Sequence, residues 1–312
     1  MMQDYRRLIL LLIALLVLVA CGQPTDQNAT DFGEVANQPQ QHGADGQHTQ
    51  PTAAGGAGLQ PVIATSELVV GPNRMALGLL ENNVPINDAA QTTVKVRYYR
   101  LAGEQGTLVG EEEARFYGEN LGERGTFVAH PSFDTAGNWG MEIVAQRPNQ
   151  QPLTLRTTVE VKERANAPKI GDPAPQSKTP TARDVSDLRT ISSDADPDPR
   201  FYQLSVAEAV SSGTPSLILF ATPGYCETAV CGPGVDVLGR LVDQFGDAIN
   251  AVHVEVYQLP YAGKTVPAMQ EWGLPSEPWL FLVDADGKIA GRYEGGITFL
   301  ELEPDVAKLV GQ

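Results

Sequence analysis

Two cysteines five positions apart, Cys226 and Cys231, are the residues of this 312-residue chain best suited to chemistry. They enclose Glu227-Thr228-Ala229-Val230 and are bracketed by Thr222-Pro223-Gly224 and Gly232-Pro233. A close thiol pair can cycle between dithiol and disulfide: one thiolate attacks a foreign disulfide and the second thiol resolves the mixed disulfide. On a regular helix, positions i and i+5 lie about 140° apart and roughly 8–9 Å between Cα atoms, beyond the ~7 Å that an unstrained disulfide spans. Bonding therefore requires one cysteine off the helix, and the flanking Gly and Pro residues supply that irregularity. Cys226 is expected in a loop and Cys231 at or near a helix start, where Pro233 forfeits no hydrogen bond. Unpaired N–H groups at a helix N-terminus favour thiolate over thiol, while the neighbouring Glu227 carboxylate opposes it. The remaining cysteine, Cys21, stands far upstream. Three cysteines without paired CxxC clusters exclude a disulfide-scaffold mini-protein and a structural zinc site of that type.

The elements that must position this pair can be read around it. Ser216-Leu217-Ile218-Leu219-Phe220 is a continuous apolar run of the kind that forms a buried central strand. Val235, Leu238, Leu241, Val242 and Phe245 follow the cysteines at helical spacing. A short helix over 204–211, a second buried strand over 249–256, two strands over 279–284 and 289–293 joined at Asp286-Gly287, and a helix over 300–310 complete an α/β layer architecture.

A buried strand feeding a cysteine-bearing turn and a helix, with a late Pro just before a hairpin, resembles the thioredoxin superfamily over residues 201–312. The most specific part is Trp272-Gly273-Leu274-Pro275-Ser276-Glu277-Pro278. The resemblance implies that Pro278 is a cis-proline facing the active-site cysteines, and an X-Pro bond reaches that geometry at a cost of only about 0.5–1 kcal/mol. The cysteines depart from the family pattern, because thioredoxins use Cys-x2-Cys and this pair is Cys-x4-Cys. The buried acid that many thioredoxins carry in the preceding strand is also missing, with Leu219 and Phe220 in that region. Cys226 follows the central strand almost where the thioredoxin nucleophile does and is read as the attacking thiol, with Cys231 as resolver. The other alignment matches Cys231-Gly232-Pro233 to the Cys-Gly-Pro opening and puts Gly234 where the resolver belongs.

Three further readings compete with exchange. A structural disulfide on the same scaffold is compatible with an exported chain. Sco-type copper chaperones share this fold and use a Cys-x3-Cys pair with a distant His, so a copper-handling or metalloprotein-assembly role is the alternative. The spacing here is one residue longer, and the candidate His253, within Ala251-Val252-His253-Val254, reads as a satisfied core histidine. Pro223, Thr228 and Cys231 resemble the peroxiredoxin loop with one extra residue. Peroxiredoxins, however, set an Arg where this chain has Pro278, and the nearest Arg is Arg292. The sequence thus points to a thiol-disulfide oxidoreductase that needs no cofactor and no metal.

Location is read from the N-terminus. Arg6 and Arg7 precede an unbroken apolar run of 13 residues, Leu8 to Ala20, which suits a signal peptide and is short of the roughly 20 residues that cross a bilayer. Leu18-Val19-Ala20-Cys21 resembles the lipobox of bacterial lipoproteins, which implies lipidation at Cys21 and attachment to the extracytoplasmic face of a cell membrane. The full chain carries 22 Lys and Arg against 38 Asp and Glu, a net charge of -16. Removing residues 1–20 deletes two Arg and one Asp, so the exported body remains acidic. Such a surface excludes nonspecific nucleic-acid binding and leaves membrane attachment to the acyl chains. The expected partners are the membrane, through that lipid, and exported cysteine-containing proteins, with a further redox partner unnamed.

Residues 21–60 are rich in Gln, Gly, Ala, Asn and Thr and read as a disordered tether, in which His42 and His48 receive no role. Residues 61–163 alternate short apolar runs with turns, as an all-β domain does. Val94, Val96 and Tyr98 share one face of a strand; Trp139, Met141, Ile143 and Ala145 share another; Leu153, Leu155, Thr157, Val159 and Val161 form a third stripe. The segment from Thr126 to Trp139 resembles the strand, corner and strand of extracytoplasmic immunoglobulin-like families, so an immunoglobulin-like β-sandwich serving as spacer or docking module is expected, with His130 structural or solvent-exposed. Residues 164–200 form a proline-rich connector, part of which is expected to pack on the thioredoxin-like domain at 201–312.

Overall fold

In this computed structural model the described residues are 29–33, 58–119, 125–225 and 231–312. The first unit is built from β1 (Ala29–Asp31), β2 (Leu59–Ile63), β3 (Leu68–Val69), β4 (Gly71–Pro72), β5 (Met75–Glu81), β6 (Val84–Pro85), β7 (Thr93–Ala102), β8 (Gln105–Tyr117), β9 (Thr126–Ala129), β10 (Ser132–Phe133), β11 (Gly137–Gln146) and β12 (Leu153–Lys162). Hydrogen bonding runs in the order β2-β5-β9-β8-β7-β11-β12-β3. Strand β8 belongs to both layers: its first part pairs with β7 and its end, Arg115–Tyr117, pairs with β9. The two layers close on one core, in which Met75 and Leu77 of β5 and Phe127 of β9 meet Val94, Val96, Trp139, Met141 and Ile143. The stripes read from β7 and β11 are buried as expected, because alternate side chains of a strand share a face. The third stripe is buried only toward its end, at Val159 and Val161, while Leu153 is exposed.

The span read as a disordered tether is not uniform. Ala29, Thr30 and Asp31 pair antiparallel with Thr107, Gly106 and Gln105, covering a stretch of β8 that would otherwise present unpaired backbone. Phe32 is 1% exposed, its ring 5.1 Å from that of Tyr99. The socket depends on two glycines: a Cβ at Gly140 or Gly106 would come within 2.6 or 2.7 Å of the Phe32 ring. Composition alone misses this because one aromatic in a polar stretch has no periodicity; its burial exists only against the folded sheet. Phe32→Ala is expected to weaken the docking by about 3 kcal/mol, as loss of a fully buried Phe does. Limited proteolysis of the full chain checks this: cleavage within 29–33 should appear in the variant and be absent in the wild type.

Among the described residues the second unit has four strands, β13 (Ser216–Ala221), β14 (Asn250–Glu255), β15 (Trp279–Val283) and β16 (Ile289–Glu294), in the order β14-β13-β15-β16. β13 is parallel to β14 and antiparallel to β15, which forms a hairpin with β16. Among the described residues the sheet is covered by α1 (Val206–Val210), α2 (Cys231–Phe245), α3 (Pro267–Glu271) and α4 (Phe299–Leu309). Leu217, Leu219 and Ala221 point to the face covered by α2 and α4, and Ile218 and Phe220 to the face covered by α1 and α3. That double burial is why β13 is apolar at successive positions. This three-layer order, a mixed sheet with a terminal hairpin between two helical layers, is the α/β layer architecture that the sequence pattern implied.

The proline-rich span 164–200 lies along this unit. Gly171 N–H bonds to Ile289 O at 2.8 Å, Ala174 N–H to Gly287 O at 2.9 Å, and Ala182 N–H to Tyr202 O at 2.8 Å. Ala167 and Ala174 are buried in the core beside α1 and α3. Frequent Pro prevents the span from adding a strand or long helix, so it binds by isolated backbone bonds. Among the described residues, no helix is long and apolar enough to cross a membrane.

Candidate functional site

The site lies at the carboxyl end of β13, where an open α/β sheet offers a crevice. Thr222, Pro223, Gly224 and Tyr225 leave this strand, and helix α2 begins at Cys231. Cys226, Cys21 and the N-terminal signal lie outside the described residues. The front of the loop is pinned from two sides. Ser193, from the proline-rich span, accepts the Gly224 N–H through its hydroxyl at 3.0 Å and lies 3.3 Å from the Thr222 hydroxyl. The backbone approach is tight: a Cβ at Gly224 would fall 2.4 Å from Ser193 O, so this position needs glycine. On the other side, Thr222 N–H donates to Glu277 Oε2 at 2.6 Å.

Glu277 directly precedes Pro278, and the peptide between them is cis. Pro278 is buried and its carbonyl accepts the Gly295 N–H at 3.1 Å. The Thr222–Glu277 bond therefore ties the cysteine loop to the Pro278 segment. Burial pushes the Glu277 carboxyl up to about 8; the Thr222 N–H holds it down, and the nearby Glu255 carboxylate pushes it further up. Glu255, at the end of β14, is itself buried and accepts N–H groups from Ser193 at 2.7 Å and Val256 at 3.0 Å.

Two acids from outside the central strand, Glu277 and Glu255, thus bond to Thr222 and Ser193 at the front of the loop. Neither was singled out by the sequence, although Glu277 sits inside the motif that carries Pro278. An acid between Ser and Pro reads as a surface turn, and only the fold around it, with the Thr222 N–H bonded to its carboxyl, leaves it half-buried. Ser193 was hidden in the same way, since nothing in a Ser-Asp-Pro-rich span marks one hydroxyl as facing a site.

His253, the candidate copper ligand, is buried with both ring nitrogens engaged: Nδ1 lies 2.6 Å from the Tyr202 hydroxyl and Nε2 lies 3.0 Å from Ala221 O. The carbonyl can only accept, so Nε2 carries the proton and Nδ1 accepts from Tyr202. Burial lowers its pKa against the pull of Glu255, keeping the ring neutral. His130 is exposed, with its backbone N–H bonded to Glu112 Oε1 at 2.8 Å. Beside the loop, the half-exposed rings of Tyr225 and Tyr261 stack at 4.4 Å, and Tyr257 meets Tyr261 edge-on at 5.0 Å.

No family model matches the chain, and no curated protein does. Among solved structures, a thiol:disulfide interchange protein of the thioredoxin family from Chlorobium tepidum is similar at 17% identity and a TM-score of 0.32, over 46% of this chain and 100% of that one. The dsbF protein of MTB, solved in mixed oxidised and reduced forms, is similar at 20% identity and a TM-score of 0.27, over 33% of this chain and 85% of that one. Murine CRIg is similar at 12% identity and a TM-score of 0.23, over 34% of this chain and 99% of that one.

Proposed function

We propose that this chain is a membrane-tethered extracytoplasmic thiol-disulfide oxidoreductase that acts on exported cysteine-containing proteins through Cys226 and Cys231, with Cys21 lipidated. The observation that carries the reading is the joint between the two halves of the site. The loop that leads to Cys226 and the segment that ends in cis-Pro278 are bonded through Thr222 and Glu277, and α2 opens at Cys231.

In the reducing direction, the Cys226 thiolate attacks one sulfur of the partner's disulfide. A Cys226–partner bond forms, and the partner's second sulfur leaves as a thiolate that takes up a proton. The Cys231 thiolate then attacks Cys226 Sγ, forming the Cys226–Cys231 disulfide and releasing the partner's first sulfur as a thiol. Two electrons pass to the partner; oxidation runs the same steps backward. The positive end of α2 favours the Cys231 thiolate, and Pro278 provides the wall against which the partner segment is presented.

The test is the state of the Cys226/Cys231 couple in the chain from Gly22 onward, read by mass spectrometry of alkylated thiols across a glutathione series with and without Cu(I). A reversible two-electron transition is expected, and its midpoint sets the direction. A pair that stays oxidised well below about -300 mV is a structural staple. Stoichiometric protection of both thiols by Cu(I) would transfer the role to copper handling.

A further inference from the structure

The Pro278 segment is held on its far side by residues of the β-sandwich. Ser276, two positions before Pro278, accepts the Trp279 indole N–H at 2.9 Å, and its hydroxyl lies 3.1 Å from that of Ser66, which lies between β2 and β3. Both hydroxyls donate to Glu294 Oε1 at the end of β16, and the Ser66 N–H adds a third bond at 2.9 Å. The next residue, Gly295, is the one whose N–H binds Pro278 O.

Arg74, just before β5, completes the clamp. Its buried guanidinium donates to the carbonyls of Glu294 and Gly296, the latter at 2.7 Å, and to both carboxylate oxygens of Glu301 at 2.6 and 2.8 Å. Two glycines admit the sandwich this closely: a Cβ at Gly295 would meet Ala64 at 3.0 Å, and one at Gly296 would meet Thr126 at 2.8 Å. Gly295 also has φ +77°, where side chains are disfavoured.

We propose that Ser66 and Arg74 are positioning residues of the exchange site, so that the sandwich fixes Ser276, Gly295 and through them the carbonyl and ring of Pro278. This rests on the thiol-exchange reading of that site. The sandwich is then a structural part of the redox centre, not the spacer that its lack of visible chemistry suggests. A polypeptide laid against Pro278 depends on where that segment stands, whereas a small dithiol reaches the cysteines without it. Other bonds between the units, such as Glu67 with Arg292 at 3.4 Å, do not involve Ser66 and persist when its hydroxyl is removed.

The experiment uses the full mature chain and three variants, Ser66→Ala, Arg74→Ala and Ser66→Thr. Amide hydrogen exchange at Gly295 reads the clamp directly. It is expected to speed up about tenfold in Ser66→Ala, and more in Arg74→Ala, as a hydrogen bond to a buried carboxyl is lost. The rate of exchange with insulin disulfides should fall by about the same factor. Reduction of the chain's own disulfide by dithiothreitol should stay nearly unchanged, and Ser66→Thr should restore both losses. Unchanged Gly295 protection in Ser66→Ala and Arg74→Ala overturns the proposal, as does lost protection with an undiminished insulin rate. A wild-type chain that neither reduces insulin disulfides nor oxidises reduced insulin chains sinks the exchange reading itself and this role with it; the wild-type measurement thus separates the two failures.

Discussion

Cys226→Ser is expected to abolish exchange with protein disulfides, by a factor on the order of 10³ or more, as removal of a covalent nucleophile does. Cys231→Ser has a different signature. Its attacking thiol remains, so the first displacement proceeds, but no internal thiol resolves the product and the mixed disulfide accumulates. The two variants are compared by non-reducing electrophoresis and by the mass of the adduct with a cystine-bearing protein. If the adduct forms with Cys226→Ser instead, Cys231 is the attacker, as the alignment to Cys-Gly-Pro allows. Should both variants exchange as fast as wild type, the cysteines are structural and the proposed activity fails.

The second large effect concerns pH. The Glu277 carboxyl, pushed up to about 8 by burial, has an unfolded reference of about 4.3. Between these values the folded chain holds a proton that the unfolded chain has released. The stabilising contribution is therefore complete below the unfolded value and is lost as pH rises through the folded one. The slope is at most about 1.4 kcal/mol per pH unit, for a total of a few kcal/mol.

Glu277→Gln removes that slope while keeping an oxygen for the Thr222 N–H. Wild type and variant should have similar urea midpoints near pH 5, diverge up to about pH 8 and hold that gap above it, with the variant the more stable at the alkaline end. Two other buried groups shape both curves equally. Glu294, also raised by burial, adds a loss in the same direction, and His253, lowered by burial, adds a loss on the acid side. Only the difference between the curves reports on Glu277, and parallel curves would refute the assignment. The same substitution removes a carboxylate that, once ionised, opposes a thiolate in the adjoining loop, so alkylation of the cysteines above pH 8 should be faster in the variant.

Much of the second unit was legible in the chain because its signals are local. The run 216–220 announces a strand buried on both faces, and the observed β13 covers it at Ser216–Ala221. The turn at Asp286-Gly287 and the helical spacing from Val235 to Phe245 likewise mark elements that formed where expected. Pro278 was marked by its place in a motif, and its peptide is cis. Phe32 and Arg74 gave no comparable signal. A lone Phe in a polar span and an Arg in a strand-to-strand turn look like surface residues until distant glycines and Glu301 close around them.

The sequence by itself determined the candidate thiols, the order of strands and helices around them, and the acidic character of the body, since periodicity, spacing and charge are properties of neighbouring residues. The tertiary structure alone decided which polar groups became part of the site. Glu277, Glu255, Ser193, Ser66 and Arg74 acquire their roles from burial and from partners tens to hundreds of positions away. The energy of a charge or hydroxyl depends on what surrounds it in space, and that surrounding is assembled only when the chain has folded.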